Sequence, residues 1–401
     1  MKLLNIHNIH AHPGGMEIVF EALTALFKSR GHDVVELAKS NADLKSTWQK
    51  LMAFGGAIYS RSVYREITDL LQRERPAVAH VHNLYPQLST SALDALYEQQ
   101  VPVILHTGDY KLSCPTAQHL RHGKICEKCV GGHEYWAAIH NCRNSHAMSV
   151  AYSLRNMWAR VSQSVVRGVS IYACPTRFVA DMMIRAGFPK DRVRVVYNFC
   201  DLPDVAPRNH AGEYVGYLGR ISPEKGLDVL IAAARKTGLK TKIAGDPSLM
   251  PQLQVGLPSN VEFVGKLKHD HLDEFLDGMR VLVVPSVWYE VFGLVCVEAL
   301  SRGIPVIASD IGGLPEVVHH KESGLLVPAG DVDALAEAMQ LMADNPEWAM
   351  ALGMHGHEVA HRLFTPEAFY RHIRELWSEI CIPTEVRAHV PLAGPKSVAQ
   401  S

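Results

Sequence analysis

The chain has 401 residues, of which 47% are apolar and 20% are charged, and its formal net charge is −1. This composition is typical of a globular protein with two or three domains, and the balanced charge argues against a dedicated nucleic-acid binder. No apolar run approaches the roughly 20 residues that span a bilayer, and the first residues lack a secretory-signal pattern, so we expect a cytoplasmic protein.

The first half of the sequence alternates short apolar runs with amphipathic segments, which is typical of β-α-β units. "KLLNIHNIHAHPGGMEIVFEALTALFKSRGHDVVEL" contains a strand, a Pro-Gly-Gly turn, a helix and a second strand. The predicted buried face of that helix is formed by Ile18, Leu23, Leu26 and Phe27. Further strands are predicted at "AVAHVHN", "PVILHTGDY", "VSIYAC" and "VRVVYNF". These elements define a first domain over residues 1–200.

A second series of the same kind begins near Tyr214, with strands predicted at "YVGYLGR", "KTKIAG", "NVEFVG", "VLVVPS" and "PVIASD". The segment 201–213 is polar and contains proline and glycine, so it is the expected linker into a second domain over 201–365. A final helix pair is predicted from Val332 to about residue 382, and its last part, 366–382, is expected to pack back on the first domain. Residues 383–401 have no periodicity and are predicted to be disordered.

The sequence therefore predicts an α/β protein with two doubly wound, Rossmann-like domains. Ligands of such sheets bind beyond the carboxyl ends of the strands, at the point where the strand order reverses. With two such sheets, the expected binding site is the cleft between the domains.

Two loops of the second domain carry residues suited to a phosphate-bearing ligand. Arg220 and Lys225 lie in the strand-to-helix loop of "YLGRISPEKGLDVL", where a helix N-terminus favours an anion. "EVFGLVCVEAL" places Gly293 at a predicted helix start, Glu290 before it, and Glu298 on a mostly apolar stretch. A buried carboxylate needs partners, and a sugar diol supplies two donors. The simpler alternatives are solvated loop cations and acids that stabilise a helix start or lie on its surface.

Together these motifs identify the chain as resembling the retaining glycosyltransferases of family 4, which have the GT-B fold. The resemblance rests on Glu290 and Glu298 with seven residues between them, on "GR" followed by "PEKG", and on "GGLPE". It implies that Arg220 and Lys225 hold the donor diphosphate and also serve catalysis. It further implies that Glu298 holds the donor ribose and that Glu290 faces the transferred sugar. Other donor contacts are implied at Gly15, Gly265, Lys266, Phe292, Gly293 and Leu294.

The resemblance implies transfer of a sugar from a UDP- or GDP-sugar to a sugar, lipid-linked or small-molecule acceptor, in surface polysaccharide or glycolipid synthesis. Fixed cations and helix N-termini stabilise a departing diphosphate without reorganising, so no cofactor is expected for catalysis. Two alternatives stay open: a nucleotide-sugar epimerase of similar fold, and a non-catalytic scaffold that only binds nucleotide sugar.

Acceptor-side residues are expected in the first domain, at Gly14, His82 and Asn83. Relatives that share the cysteine pattern described below have a histidine at the position that is Gly108 here, followed by an acidic or amide partner, here Asp109. His106 lies two residues earlier on the same strand face and is a candidate substitute. We therefore predict His106 and Asp109 as catalytic residues. The alternative for His106 is a site that works without an imidazole, and the alternative for His82 is a core histidine bonded to the backbone.

Four of the eight cysteines cluster in an insertion at about 111–145, as Cys114, Cys126, Cys129 and Cys142. A C-x-x-C pair bracketed by two further cysteines matches a tetrahedral thiolate zinc site, and the segment has no clear core face of its own. We predict a structural zinc ion; an iron–sulfur cluster, two disulfides and free thiols are the alternatives.

An amphipathic stretch, 149–168, carries three arginines beside apolar residues. It is a candidate for peripheral contact with the inner face of an anionic membrane, where lipid-linked acceptors are found. An ordinary packed helix is the alternative.

Overall fold

The structure is a computed structural model that describes residues 1–10, 14–41, 56–203, 206–267 and 269–381. The predicted disordered tail, 383–401, and part of the predicted linker, residues 204–205, lie outside the described residues.

The N-terminal domain is built on a six-stranded parallel sheet with the order β2-β1-β3-β4-β7-β8. Its strands are β1 (Lys2–Ile9), β2 (Asp33–Ser40), β3 (Val78–Asn83), β4 (Val103–His106), β7 (Ile171–Cys174) and β8 (Val193–Val195). Its helices are α1 (Gly15–Ser29), α2 (Arg61–Glu74), α3 (Ser91–Glu98), α4 (Tyr135–Ile139), α5 (His146–Val161), α6 (Ser164–Gly168) and α7 (Arg177–Arg185). A short antiparallel hairpin, β5 (Leu120–Arg121) and β6 (Lys124–Ile125), lies in the cysteine-containing insertion.

Both faces of this sheet are covered by helices, as the near-continuous apolar strands require. Successive residues of a strand point to opposite faces, so Leu3 joins one core cluster while Leu4 and Ile6 join the other. In α1 the buried face contains Val19, whereas Ile18, predicted to be buried, is 57% exposed.

The C-terminal domain has a second six-stranded parallel sheet with the order β11-β10-β9-β12-β13-β14. Its strands are β9 (Tyr214–Leu218), β10 (Thr241–Ala244), β11 (Val261–Gly265), β12 (Met279–Val284), β13 (Val306–Ser309) and β14 (Gly324–Val327). The helices are α8 (Leu227–Thr237), α9 (His269–Asp277), α10 (Leu294–Leu300), α11 (Leu314–Val317), α12 (Val332–Asp344), α13 (Pro346–Leu363) and α14 (Pro366–Ile380). In this sheet the strand order reverses between β9 and β12, which is the position where nucleotides bind in doubly wound folds.

The predicted C-terminal helix pair is three helices, because prolines at positions 346 and 366 each begin a new one. The last helix, α14, returns to the N-terminal domain. There Phe369, Ile373 and Trp377 pack in one buried cluster with Phe27 and Ile104. No helix in the described part of the chain combines the length and apolar character needed to cross a bilayer.

The carboxyl ends of the two sheets face each other and are joined by direct contacts. The Thr176 hydroxyl donates to the Val291 carbonyl over 3.1 Å. The Glu316 carboxylate accepts the backbone N–H groups of Arg177 and Phe178, at 2.8 and 2.9 Å, at the start of α7. A carboxylate from one domain therefore caps a helix of the other, and the two loop sets enclose a common site.

Candidate active site

The loop after β9 brings both predicted cations to the point of strand-order reversal in the C-terminal sheet. The Arg220 guanidinium donates to Glu224 over 2.7 Å and remains about half exposed. Gly226 follows a short 3₁₀ turn with φ +65°, and a Cβ there would lie 2.0 Å from the Pro285 carbonyl oxygen. This close approach fixes the β9 loop against the loop that follows β12, so only glycine fits.

Lys225 crosses that junction to the second loop. Its ammonium lies 2.5 Å from the Glu290 carboxylate, which also accepts a hydrogen bond from the Ser286 hydroxyl over 2.6 Å. Glu290 is 7% exposed. Burial alone would raise the pKa of Glu290, but the Lys225 charge and the hydrogen bonds from Lys225 and Ser286 outweigh it and lower that pKa. The site therefore holds Glu290 ionised and in one position.

A third loop, between β13 and α11, supports Glu290 from behind. The Gly313 N–H donates to the Glu290 carbonyl over 2.7 Å. A Cβ on Gly312, at φ +62°, would lie 2.4 Å from the same oxygen. The Gly312-Gly313 pair of the motif is therefore needed, because residues without a side chain let this loop approach the Glu290 backbone.

Gly293 is the N-cap of α10 with φ +97°, as predicted from the sequence. Leu294 begins the helix and is partly exposed, whereas the Phe292 side chain is buried against Tyr197 and Phe364. Any ligand contact at Phe292 is therefore made by its backbone.

Glu298 lies on α10 and is partly buried. Burial raises its pKa, and the nearby Arg302 offsets only part of that rise. Among the described residues, no donor lies within hydrogen-bond distance of its carboxylate, since Arg302 bonds to the Glu298 backbone carbonyl instead. A partly buried carboxylate without a protein partner is suited to bind a ligand hydroxyl.

Gly265 and Lys266 lie at the carboxyl end of β11, two strands away from β9. Gly265 has φ +77° and accepts a backbone hydrogen bond from Gly245 over 2.9 Å, while Lys266 is exposed. Both therefore lie at the same edge of the sheet as Arg220.

On the opposite side of the cleft, Gly14 and Gly15 begin α1. The Gly14 N–H donates to Glu17 over 2.7 Å in a capping arrangement. A Cβ on Gly15 would lie 3.8 Å from Leu294 of the other domain. The two predicted glycine loops, one from each domain, therefore meet directly.

The predicted acceptor-side residues gather at the carboxyl ends of β3 and β4. The Lys111 ammonium donates to Asp109 over 2.5 Å and to Asn83 over 3.0 Å, and it lies 3.0 Å from His10. His82 and His106 line the same cavity as Asn83, Asp109 and Lys111. The sequence interpretation missed Lys111, which follows Asp109 by two residues but belongs to no motif.

Gly108, where the resemblance implies a histidine, is tightly enclosed. A Cβ there would lie 3.1 Å from Met16. A histidine at this position would have to displace the Met16 side chain. His106 is 8% exposed, and burial lowers its pKa to about 3. It is therefore neutral across the physiological range.

All eight cysteines are free thiols. Burial, together with the nearby thiols of Cys114, Cys142 and Cys126, raises the pKa of Cys129 to about 12, so the four predicted ligands lie in one region. Across the described residues, however, no three His, Cys, Asp or Glu side chains are arranged to share a metal ion. Zinc binding stays a prediction. The insertion also reaches the active site, because the Tyr289 hydroxyl donates to Glu127 over 3.0 Å.

Apart from Gly15, which begins α1 of the N-terminal domain, the predicted donor residues lie in the C-terminal domain, and the predicted acceptor residues lie in the N-terminal domain. Three neighbouring groups were not predicted: Glu224, Ser286 and Glu316 as a contact across the cleft. Glu224 lies inside the "PEKG" motif, but tertiary packing of the loop determines that its carboxylate bonds to Arg220.

Two family models match consecutive parts of the chain. Residues 13–203 match the model described as Glycosyltransferase Family 4, and residues 201–358 match the one described as Glycosyl transferases group 1.

Among curated relatives, an uncharacterized 42.6 kDa protein in the cps region of Klebsiella pneumoniae is 26% identical over 317 residues, covering 76% of this chain and 83% of that protein. The chain spans about half the length of several other curated relatives that it matches.

Two solved structures are similar over 94% of this chain. A sucrose-phosphate synthase from Thermosynechococcus elongatus has a TM-score of 0.69 at 19% identity, with 98% of that chain covered. Anabaena HepE in complex with UDP has a TM-score of 0.67 at 17% identity, with 100% covered. At these identities the likeness shows the fold.

The two facing parallel sheets define a GT-B fold, and both matching models describe glycosyltransferases. The two models together match residues 13–358, one in each domain, and the chain is therefore a glycosyltransferase built from these two domains.

Proposed function

We propose that this glycosyltransferase moves a sugar, with retention of configuration, from a nucleoside-diphosphate sugar to a hydroxyl of a sugar, lipid-linked or small-molecule acceptor. The observation that supports this most is the position of Arg220, Lys225 and Glu290 together where the strand order of the C-terminal sheet reverses. A UDP-sugar is the proposed donor, since HepE, a structural neighbour, was solved with UDP and with UDP-glucose.

The cations suit a diphosphate leaving group. An ammonium has three donors, so Lys225 can keep its bond to Glu290 and still donate to a phosphate. Arg220 is bound to Glu224 on one side only and exposes the rest of its planar guanidinium. Because both groups are already fixed by carboxylates, they stabilise the departing charge without reorganising. The residues present therefore provide charge stabilisation with no metal in the step.

The two glutamates have separate roles in this proposal. Glu298 accepts hydrogen bonds from the ribose hydroxyls, which supplies the partners its carboxylate lacks. Glu290, held by Lys225 and Ser286, faces the sugar that is transferred. The acceptor approaches from the opposite side, past Asn83 and Asp109.

We infer a role in surface polysaccharide or glycolipid synthesis from the relative encoded in a cps region. An exposed apolar face on α5 supports contact with a membrane. Its residues are 38–75% exposed: Val150, Leu154, Met157, Trp158 and Val161. They recur at helical spacing. The three arginines of the predicted stretch do not supply free charge there: Arg155 is buried, and Arg160 and Arg167 pair with Glu134 and Asp94. The support is therefore the exposed apolar stripe itself, which is suited to a lipid surface.

The test is product formation with a panel of UDP- and GDP-sugars and with sugar and lipid-linked acceptors. The proposal predicts transfer from at least one donor, with the anomeric configuration of the donor kept in the product. Interconversion of the nucleotide sugars without transfer would favour an epimerase. Nucleotide-sugar binding without turnover across the panel would favour the non-catalytic scaffold.

A further inference from the structure

Two chains of hydrogen bonds, which run in opposite donor-to-acceptor directions, end at the two imidazoles that line the acceptor-side cavity. One chain begins at the C-terminal helix α14 and ends at His106. The other begins in α1 and ends at His82. Each chain starts from a group that can only donate or only accept a hydrogen bond. Each therefore fixes which ring nitrogen of its histidine carries the proton.

The first chain starts from an indole. The Trp377 Nε1–H donates to His80 Nε2 over 3.0 Å, and an indole N–H is a donor only. His80 Nε2 must therefore be unprotonated, so neutral His80 carries its proton on Nδ1. That N–H donates to His106 Nε2 over 2.9 Å. His106 in turn must carry its own proton on Nδ1.

The second chain starts from a backbone carbonyl, which is an acceptor only. The Thr24 hydroxyl donates to the Phe20 carbonyl over 2.9 Å and so accepts from Asn5 Nδ2 over 2.7 Å. This fixes the Asn5 amide with its oxygen toward His82 Nε2, 3.0 Å away. His82 therefore carries its proton on Nε2, and its Nδ1 has a free lone pair.

The two rings are parallel neighbours. Their centroids lie 4.5 Å apart at an interplanar angle of 6°. Burial lowers the pKa of both histidines, to about 3 for His106 and well below the usual value for His82, so both are neutral. Among the described residues the hydrogen bonds of these two rings are made at Nε2, and neither Nδ1 has a partner. Both rings line the cavity that contains Asp109 and Lys111.

We propose that His106 Nδ1–H and His82 Nδ1 act as a donor and an acceptor for one hydroxyl group of the acceptor substrate. A hydroxyl both donates and accepts, so it satisfies both nitrogens. Trp377 and Thr24, which do not touch the substrate, are positioning residues that set the two tautomers. The inference rests on the proposed function for the identity of the ligand, whereas the tautomers follow from the hydrogen bonds alone. In this assignment the unprotonated Nδ1 of His82 has the free lone pair, whereas Nδ1 of His106 carries a proton.

The test is ring nitrogen NMR on the full chain labelled with ¹⁵N-histidine, in which protonated and unprotonated ring nitrogens resonate in separate ranges. His82→Gln and His106→Gln assign the two rings. The expected result is a proton on Nδ1 of His106 and on Nε2 of His82. A proton on Nε2 of His106, or on Nδ1 of His82, would overturn the proposal.

Trp377→Phe removes the indole donor and keeps an apolar ring. It is expected to abolish the single tautomer of His80 and His106 and to leave His82 unchanged. The matched control, Ile373→Val on the same buried face of α14, is expected to change none of the three. If Trp377→Phe leaves the His106 tautomer intact, Trp377 is not its positioning residue. Should the variant fail to fold, the wild-type spectrum still decides the tautomers.

Glycerol is the probe for the hydroxyl site. In excess, it is expected to shift the Nδ1 resonances of His82 and His106 but not the ring of His32, which already bonds to Tyr370. No shift at either Nδ1 would show that the pair does not take a hydroxyl. Nucleotide binding is measured separately with UDP, so a failure of the donor assignment leaves these results unaffected.

Discussion

The Lys225 ammonium and the Glu290 carboxylate form an ion pair of 2.5 Å between two loops that are 65 positions apart in sequence. Lys225 was predicted to hold the donor diphosphate, and Glu290 was predicted to face the transferred sugar. In the structure they also bind each other, and through Ser286 and the glycine loop they hold the walls of the site together.

Lys225→Met should therefore affect stability as well as activity. Removing the cation leaves Glu290 buried without its charge partner, which costs about 3 kcal/mol of unfolding free energy. Lys225→Met combined with Glu290→Gln should recover most of that loss, because no unpaired charge remains. Urea denaturation measures both variants, and a double variant as unstable as Lys225→Met alone would contradict the coupling.

The pair also predicts a pH dependence. The pKa of Glu290 is lowered from its ordinary value of 4.5, so its ionised form is stabilised by folding. The stability from the pair is present above that ordinary value and is lost as the pH falls through the lower, folded-state pKa. The stability difference between wild type and Lys225→Met should therefore shrink in acid, in denaturation curves recorded from pH 7 downward. A difference that grows on acidification would be inconsistent with a lowered pKa.

Gly226→Ala should be among the most damaging single-methyl changes in the chain. The new Cβ would collide with the Pro285 carbonyl, and the backbone has positive φ, so we expect a cost above about 3 kcal/mol. Gly238→Ala is the matched control, since its φ is +68° but no atom lies within 4 Å of the new Cβ. It should cost about 1 kcal/mol. Equal thermal stability of the two variants would contradict the close contact between Gly226 and the Pro285 carbonyl.

The cysteine insertion is predicted to bind one zinc ion per chain when the protein is purified without chelator. Elemental analysis measures the metal. Cys126→Ser should lower the zinc content, while Cys174→Ser, in the buried strand β7, should not. Metal-free, folded protein with four titratable thiols in the insertion would rule zinc out.

The apolar face of α5 predicts binding to vesicles of phosphatidylglycerol and phosphatidylcholine. Leu154→Glu and Trp158→Glu should each remove most of the vesicle-bound fraction in flotation, because a carboxylate opposes both burial and the anionic surface. Met354→Glu is the control, since Met354 is 52% exposed on α13 of the other domain. If all three variants float equally, the α5 face does not bind the membrane.

The sequence predicted the two sheets and the position of the donor loops because strand-helix alternation and glycine-bounded loops are local patterns. It was wrong at Ile18: the buried positions 19, 23, 26 and 27 follow helical spacing, and Ile18 does not. It could not show that Glu316 caps α7 in the other domain or that Trp377 bonds to His80. Those contacts join residues that are 139 and 297 positions apart, and only the assembled fold brings them together.

The central claim is that a nucleotide binds where the strand order of the C-terminal sheet reverses, with its ribose on Glu298. The most direct measurement is the affinity for UDP, by titration calorimetry, of wild type, Glu298→Ala and the surface control Glu337→Ala. The account predicts at least about tenfold weaker binding for Glu298→Ala, equivalent to a lost charged hydrogen bond, and no change for Glu337→Ala. Wild-type affinity in Glu298→Ala would contradict it.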